Sequence, residues 1–317
     1  MKAGWLLVGA AVAMAGAGLM AASGTQERRS RSSRDWDNGK NWNWNIHTRH
    51  DRGEPISSCS DIDATVSRGE MARDEEVQNL SVTALNVTGH QNGPVYVTGA
   101  DRNDYQVTLC KFAVADTGDE ARTKLGQLAL SVNNGRVNVK GPSDNGYLAY
   151  LLVETPRQAH LAVNTINGPL TLRSLSGQIT ARTTNGPLSV SQVSGEVDVE
   201  ATNGPVSLDE GGGHMRVVTQ NGPLSVNLSG SDWQGSGLEA STQNGPLSLN
   251  VPENYRSGVL VDITGNGPFH CSNSACRNAQ RDWDNDNRRL KFGSDPNPIV
   301  RLTSGNGPVS IGSGKDN

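Results

Sequence analysis

The sequence predicts an all-β protein: a parallel β-solenoid, or β-helix, whose coils of about 18 residues hold two short strands each. Three observations predict it. Asn-Gly-Pro occurs at residues 92, 167, 185, 203, 221, 244, 266 and 306, with spacings of 18, 18 and 18 between 167 and 221. Each 18-residue unit splits into two nine-residue lines with glycine in second place, at 168, 177, 186, 195, 204, 213 and 222. The fourth and sixth places of each line are apolar (Leu170/Leu172, Ile179/Ala181, Leu188/Val190, Val197/Val199), with Thr171, Thr180, Ser189 and Asp198 between them. That alternation marks a strand with one face turned inward.

The chain divides in order. Residues 1–23 read as a signal peptide: Lys2, an uncharged run from Trp5 to Met20, then small Ala21, Ala22 and Ser23. The expected mature chain is exported, without a membrane span, and periplasmic or extracellular at the cell surface. Residues 24–55 carry seven Lys/Arg, five Asp/Glu and almost no aliphatics, so this Trp/Asn/Arg-rich segment is expected to lack fixed structure. The solenoid is expected over 56–317, irregular over 56–160 and regular over 161–251. Looser C-terminal coils follow, carrying Leu247/Leu249, Val259/Val261/Ile263, Ile299/Val300 and Val309/Ile311 and a loop at 271–296.

Each part of the corner has a mechanical reason. Asn-Gly suits a tight turn, at Asn167-Gly168-Pro169, Asn185-Gly186-Pro187, Asn203-Gly204-Pro205, Asn221-Gly222-Pro223 and Asn244-Gly245-Pro246. Proline then starts the strand, where its missing N–H costs least. Asn-Gly also favours hairpins, so an antiparallel meander is the rival architecture. The double period decides against it. Asn-Gly-Pro corners alternate with Ser-Gly or Gly-Gly corners, which matters only if residue i lies against i+18.

Composition narrows the function. Glycine stands at 37 without a strict three-residue period, which excludes collagen; three Phe and five Tyr argue against a bulky aromatic enzyme core. With 28 Lys+Arg against 32 Asp+Glu, no global field points to nucleic acid. Cys59, Cys110, Cys271 and Cys276 form an even set for an oxidising compartment. Three connectivities are possible, and proximity favours Cys271–Cys276 with Cys59–Cys110. No Cys-x-x-Cys or His pair completes a zinc site.

This array resembles the bacterial β-strand-repeat "putative adhesin" family, a domain of unknown function, over roughly Leu80 to Ile311. The resemblance is carried by the Asn-Gly-Pro-[Leu/Val]-x-[Leu/Val] corners and by the lead-in LLVETPRQAHLAVNTINGPLTL. It implies a right-handed β-solenoid on an exported bacterial protein and brings no catalytic residues.

Residues with chemical potential form only weak patterns. The coils lack the corner aspartates of calcium-binding nonapeptides, and the Asp282/Asp284/Asp286 run has Asn287 and Gly293 where a calcium loop needs Gly and Glu. His47 and His50 lie in the polar segment; the other four histidines are scattered singly. Glu196, Asp198 and Glu200 line an outer face, as simple solvation requires and as a polysaccharide-cleaving enzyme would use. The mature tryptophans fall outside the alternating strands, and Trp233 and Trp283 are the first candidates for ligand contact through stacking on sugar rings. The expectation is a non-catalytic scaffold or adhesin-like binding surface without cofactor or metal, whose partner is a glycan or an envelope protein. A polysaccharide-active or polysaccharide-binding envelope protein is the alternative.

Overall fold

The computed structural model describes residues 42–48, 56–284 and 287–314. The expected signal peptide and most of the 24–55 segment lie outside them.

The chain is all-β, and its strands join a large, mostly parallel sheet. Two ladders run through it, sharing the long strand Leu170–Asn185. One ladder stacks Leu170, Leu188, Val206, Leu224, Leu247 and Val309 in register. The other stacks Leu161, Ile179, Val197, Met215, Leu238 and Val300. Among the strands of 158–227 every parallel pair is 18 residues apart, as the double period requires, the next layer being 23 residues on, and the fourth- and sixth-place side chains are buried.

The interior is wider than fourth and sixth places alone. Leu175 and Val193, ninth in their lines, are also buried, and so are Thr165, Thr183, Ala201, Thr219 and Thr242, eighth in theirs. These threonines keep a polar column inside the core. Thr219 and Thr242 donate to the carbonyls of Gly204 and Gly222, at 3.2 and 3.0 Å.

The corner glycines are required by stacking more than by turning. A Cβ on Gly204 would meet the carbonyl oxygen of Gly186 at 2.2 Å, one coil away. Asparagine forms the matching column. Its side-chain amides donate from coil to coil: Asn167 to Asn92, Asn185 to Asn167, Asn203 to Asn185, Asn221 to Asn203, Asn244 to Asn221 and Asn306 to Asn244, at 2.8–3.1 Å. Asn134-Gly135 behaves differently, with both residues at positive φ (46° and 73°) in the antiparallel hairpin of Ala129–Asn133 with Arg136–Lys140. No proline follows there. In Asn-Gly-Pro the proline crowds the preceding glycine out of the helical range, and the hairpin turn is lost.

The coil order departs from sequence order at both ends. Leu85–Thr88 and Val95–Ala100 lie between the layer of 136–156 and the layer of 158–175. Pro298–Asn306 and Val309–Ser313 lie between the layer of 237–251 and the layer of 258–271. The expected simple downstream extension is corrected on this point. The physical reason is the cap: Arg288–Phe292 pairs antiparallel on Gly258–Ile263 and occupies its outer edge, and Gln280–Trp283 pairs antiparallel on Arg288–Phe292. At the other end Glu70–Leu80, Tyr105–Ala115 and Tyr147–Pro156 form an antiparallel cap.

Two further features were not expected. Residues 118–125 form a helix, capped by Thr117, whose side chain accepts from the Glu120 N–H at 3.3 Å, with Ala121 and Leu125 buried beneath. Part of the segment expected to lack fixed structure is a strand: Trp44–Thr48 pairs antiparallel with Ile62–Val66. This hairpin covers an aromatic patch of Tyr96, Phe112, Tyr150 and Leu152 on the outer face of the first ladder. The Cys59–Cys110 disulfide ties it down, with Cα atoms 5.4 Å apart. Apolar burial orders a polar segment here. Where the cover stops, the same outer column changes from Leu152 and Tyr96 to Thr171, Ser189, Ser207, Ser225, Ser248 and Ser310.

Candidate functional site

The sequence-predicted ligand tryptophans are not brought together, and Trp233 is buried. Its ring belongs to the main core and its Nε1–H donates to the Gly213 carbonyl at 2.9 Å. The reason lies one column away. The inward ninth place, filled by Leu175 and Val193, is Gly211 in the next coil, and a Cβ there would meet the Trp233 ring at 3.1 Å. Trp233 fills the space that a Leu or Val would have taken, so the expectation of an exposed contact is corrected. Trp283 is 48% exposed. Its ring packs edge-on against Phe269 at 5.8 Å, and the Arg281 guanidinium stands 5.5 Å from it. Phe269 is in register with Val309, so Trp283 shields the end of the inward column while keeping one side toward solvent.

The four cysteines form the two pairs Cys59–Cys110 and Cys271–Cys276. The second closes a small loop beside the same terminal layer. The Asn-Gly-Pro asparagines form a hydrogen-bonded column.

The carboxylates of the outer face do not converge on a cleft. Asp198 is held between Arg182 at 2.7 Å and Arg216 at 2.8 Å, each from an adjacent coil, and Arg182 also reaches Glu200 at 3.2 Å. Burial alone would raise the Asp198 pKa, but the hydrogen bonds and charges of the two arginines outweigh it and hold the carboxyl below its ordinary range. Such a group carries no proton near neutral pH and is unsuited to general-acid work. Asp282 likewise lies opposite Arg289, whose guanidinium binds Asp262 at 2.7 Å.

Glu196 has other neighbours. His160, Gln178, Glu196 and His214 follow one another in register along the second ladder. They line an open groove of about 520 Å³. Its floor is bare backbone at Gly177, Gly195 and Gly213, because a side chain on any of them would strike the coil below; a Cβ on Gly195 would meet the Gly177 oxygen at 2.3 Å. His160 Nδ1 lies 3.0 Å from Gln178 Oε1. The groove is a row of imidazole, amide and carboxylate groups over half-buried peptide units. Scattered in sequence, these residues form no motif; the signal was their common place, third in alternate nine-residue lines.

No family model and no curated protein matches the chain. Among solved structures it is similar to a "putative cell adhesion protein" from Clostridium sporogenes, with 10% identity and a TM-score of 0.30, covering 76% of this chain and 100% of that one. A "putative adhesin" from Parabacteroides distasonis has 10% identity and a TM-score of 0.36, covering 75% and 97%. A "putative lipid binding protein" from the same organism has 11% identity and a TM-score of 0.29, covering 75% and 96%.

Proposed function

We propose that the chain is an exported, non-catalytic, right-handed β-solenoid that serves the cell envelope as an adhesin-like binding surface. The observation that carries this reading is the side-chain columns. One outer column repeats a hydroxyl from layer to layer, at Thr171, Ser189, Ser207, Ser225, Ser248 and Ser310, and Asp198, in the other ladder, is tied between two arginines. Repetition at strand spacing suits an extended partner contacted at many equivalent points; it does not suit a single reacting bond. Two disulfides support export, because such bonds persist in oxidising compartments. Among the described residues, no helix is long and apolar enough to cross a membrane.

Of the expected partners, a glycan fits the groove best. The His160, Gln178, Glu196 and His214 side chains offer donors and acceptors in a row, and Trp283 offers an aromatic face at the end of the stack. A glycan array on the mature chain tests this, with Gln178→Ala, Glu196→Ala and Trp283→Ala variants. Binding that weakens about tenfold or more in the groove variants, at unchanged thermal stability, is the expected outcome. An array without a single binder would count against the glycan partner, and hydrolysed glycan would overturn the non-catalytic reading.

A further inference from the structure

The order of the last layers is the least expected feature of the fold. The layer of 298–313 follows the layer of 258–271 in the chain and yet sits inside the stack, between it and the layer of 237–251. Its Asn306 continues the amide column from Asn244, and Gly307 stacks on Gly245. The layer outside it carries the same parts: inward Val259, Val261 and Ile263, and the corner Asn266-Gly267-Pro268. Asn266 follows Asn244 by 22 residues, as Asn244 follows Asn221 by 23. The 258–271 layer therefore has the sequence needed to stack directly on 237–251.

We propose that the C-terminal coil is a releasable clasp, and that the protein has a second stack in which 258–271 rests directly on 237–251. Several features make the exchange possible. The hairpin of Gln280–Trp283 and Arg288–Phe292 is hydrogen-bonded to Gly258–Ile263, so cap and layer move as one body. The clasp is joined to that body through the short turn at 293–297. Both stacks keep every remaining strand paired. The clasped stack dominates because it alone buries Val300, Leu302, Val309 and Ile311. The unclasped stack frees two strands with an Asn-Gly-Pro corner at the end of the molecule. A fold with two packings of one sequence is a switch wherever something binds the released segment.

Outward residues of one column provide the test in the full-length chain. Ser241 is in register with Thr303, and Thr303 with Asp262. Ser241 and Asp262 are thus two layers apart, ~9.6 Å, at ~4.8 Å per layer. That is beyond the ~7 Å within which a disulfide closes. In the unclasped stack they are neighbours. A Ser241→Cys/Asp262→Cys chain under mild oxidant should form the new disulfide slowly, as the clasp opens. Adding Gly307→Ala, whose Cβ would meet the Gly245 oxygen at 2.1 Å, should speed trapping about tenfold or more, the change that ~1.4 kcal/mol produces. A Ser241→Cys/Thr303→Cys chain should close at once and block proteolytic release of the C-terminal segment. If the Ser241→Cys/Asp262→Cys thiols stay free over days in chains that remain folded by circular dichroism, the second stack does not exist. Should Gly307→Ala unfold the whole chain, trapping in the chain that keeps Gly307 still decides between one stack and two.

Discussion

Adjacent residues in one strand of this protein live in different solvents. Leu188 is fully buried and Ser189, beside it, faces outward within hydrogen-bond reach of Ser207 at 3.3 Å. Leu188→Asp should cost ~4 kcal/mol or more, since it leaves a cavity and an unpaired charge inside. Ser189→Asp should stay within ~0.5 kcal/mol. Calorimetric unfolding of the two variants checks this, and equal shifts would refute the assignment of faces. His90 offers a pH test. It is buried between its own corner and the 141–146 turn, and that burial lowers its pKa more than the hydrogen bonds to Pro142 and Gly141 raise it. The folded state therefore favours the neutral ring. The stability this gives is present above the unfolded value of ~6.5 and is lost as pH falls through the lower folded value. Thermal midpoints of the wild type should drop between pH 7.5 and 5 by more than those of His90→Gln; parallel curves would assign the acid sensitivity elsewhere.

Among the elements, the hairpin of 44–48 and 62–66 depends on what it covers. Tyr96 and Tyr150 stack at 6.3 Å beneath it, and the Cys59–Cys110 link closes a loop of 51 residues. Replacing both cysteines by serine should cost roughly 2–4 kcal/mol. The loss should fall first on this hairpin, seen as faster hydrogen exchange at 62–66 while 188–193 stays protected. Uniform exchange across both segments would mean the hairpin is not a separate unit. The neighbouring helix was readable in outline. Thr117 precedes Glu120 by three residues and Ala121 precedes Leu125 by four, which is a capping position followed by one helical stripe. Eight residues surrounded by strand signals left that pattern too short to compete.

For the molecule as a whole, the stack behaves as a sum of nearly equal layers. Deleting 185–202 removes one coil of 18 residues and brings Asn203 onto Asn167 with every column intact. Such a chain should fold with native-like circular dichroism and a modestly lower melting point. Deleting 185–193 alone sets Ser-Gly corners against Asn-Gly-Pro corners, breaks the asparagine amide column and should abolish folding. If both deletions fold equally well, the 18-residue layer is not the unit of structure.

Periodicity alone was enough to determine the parallel ladders and the inward faces. These features repeat locally, and each copy reinforces the same register. The Thr column was also present as Thr-x-Asn-Gly-Pro at 165, 183, 219 and 242, but threonine is mostly a surface residue and its place in the period alone does not mark it as interior. Only tertiary structure decided the order of the end layers, the burial of Trp233, the hairpin over the aromatic patch and the groove above the bare glycines. Each of these rests on one-off contacts between residues far apart in the chain, such as Trp233 with Gly211 or Cys59 with Cys110. A single such contact leaves no period behind it. Shape complementarity chooses it, and that exists only once the layers are stacked.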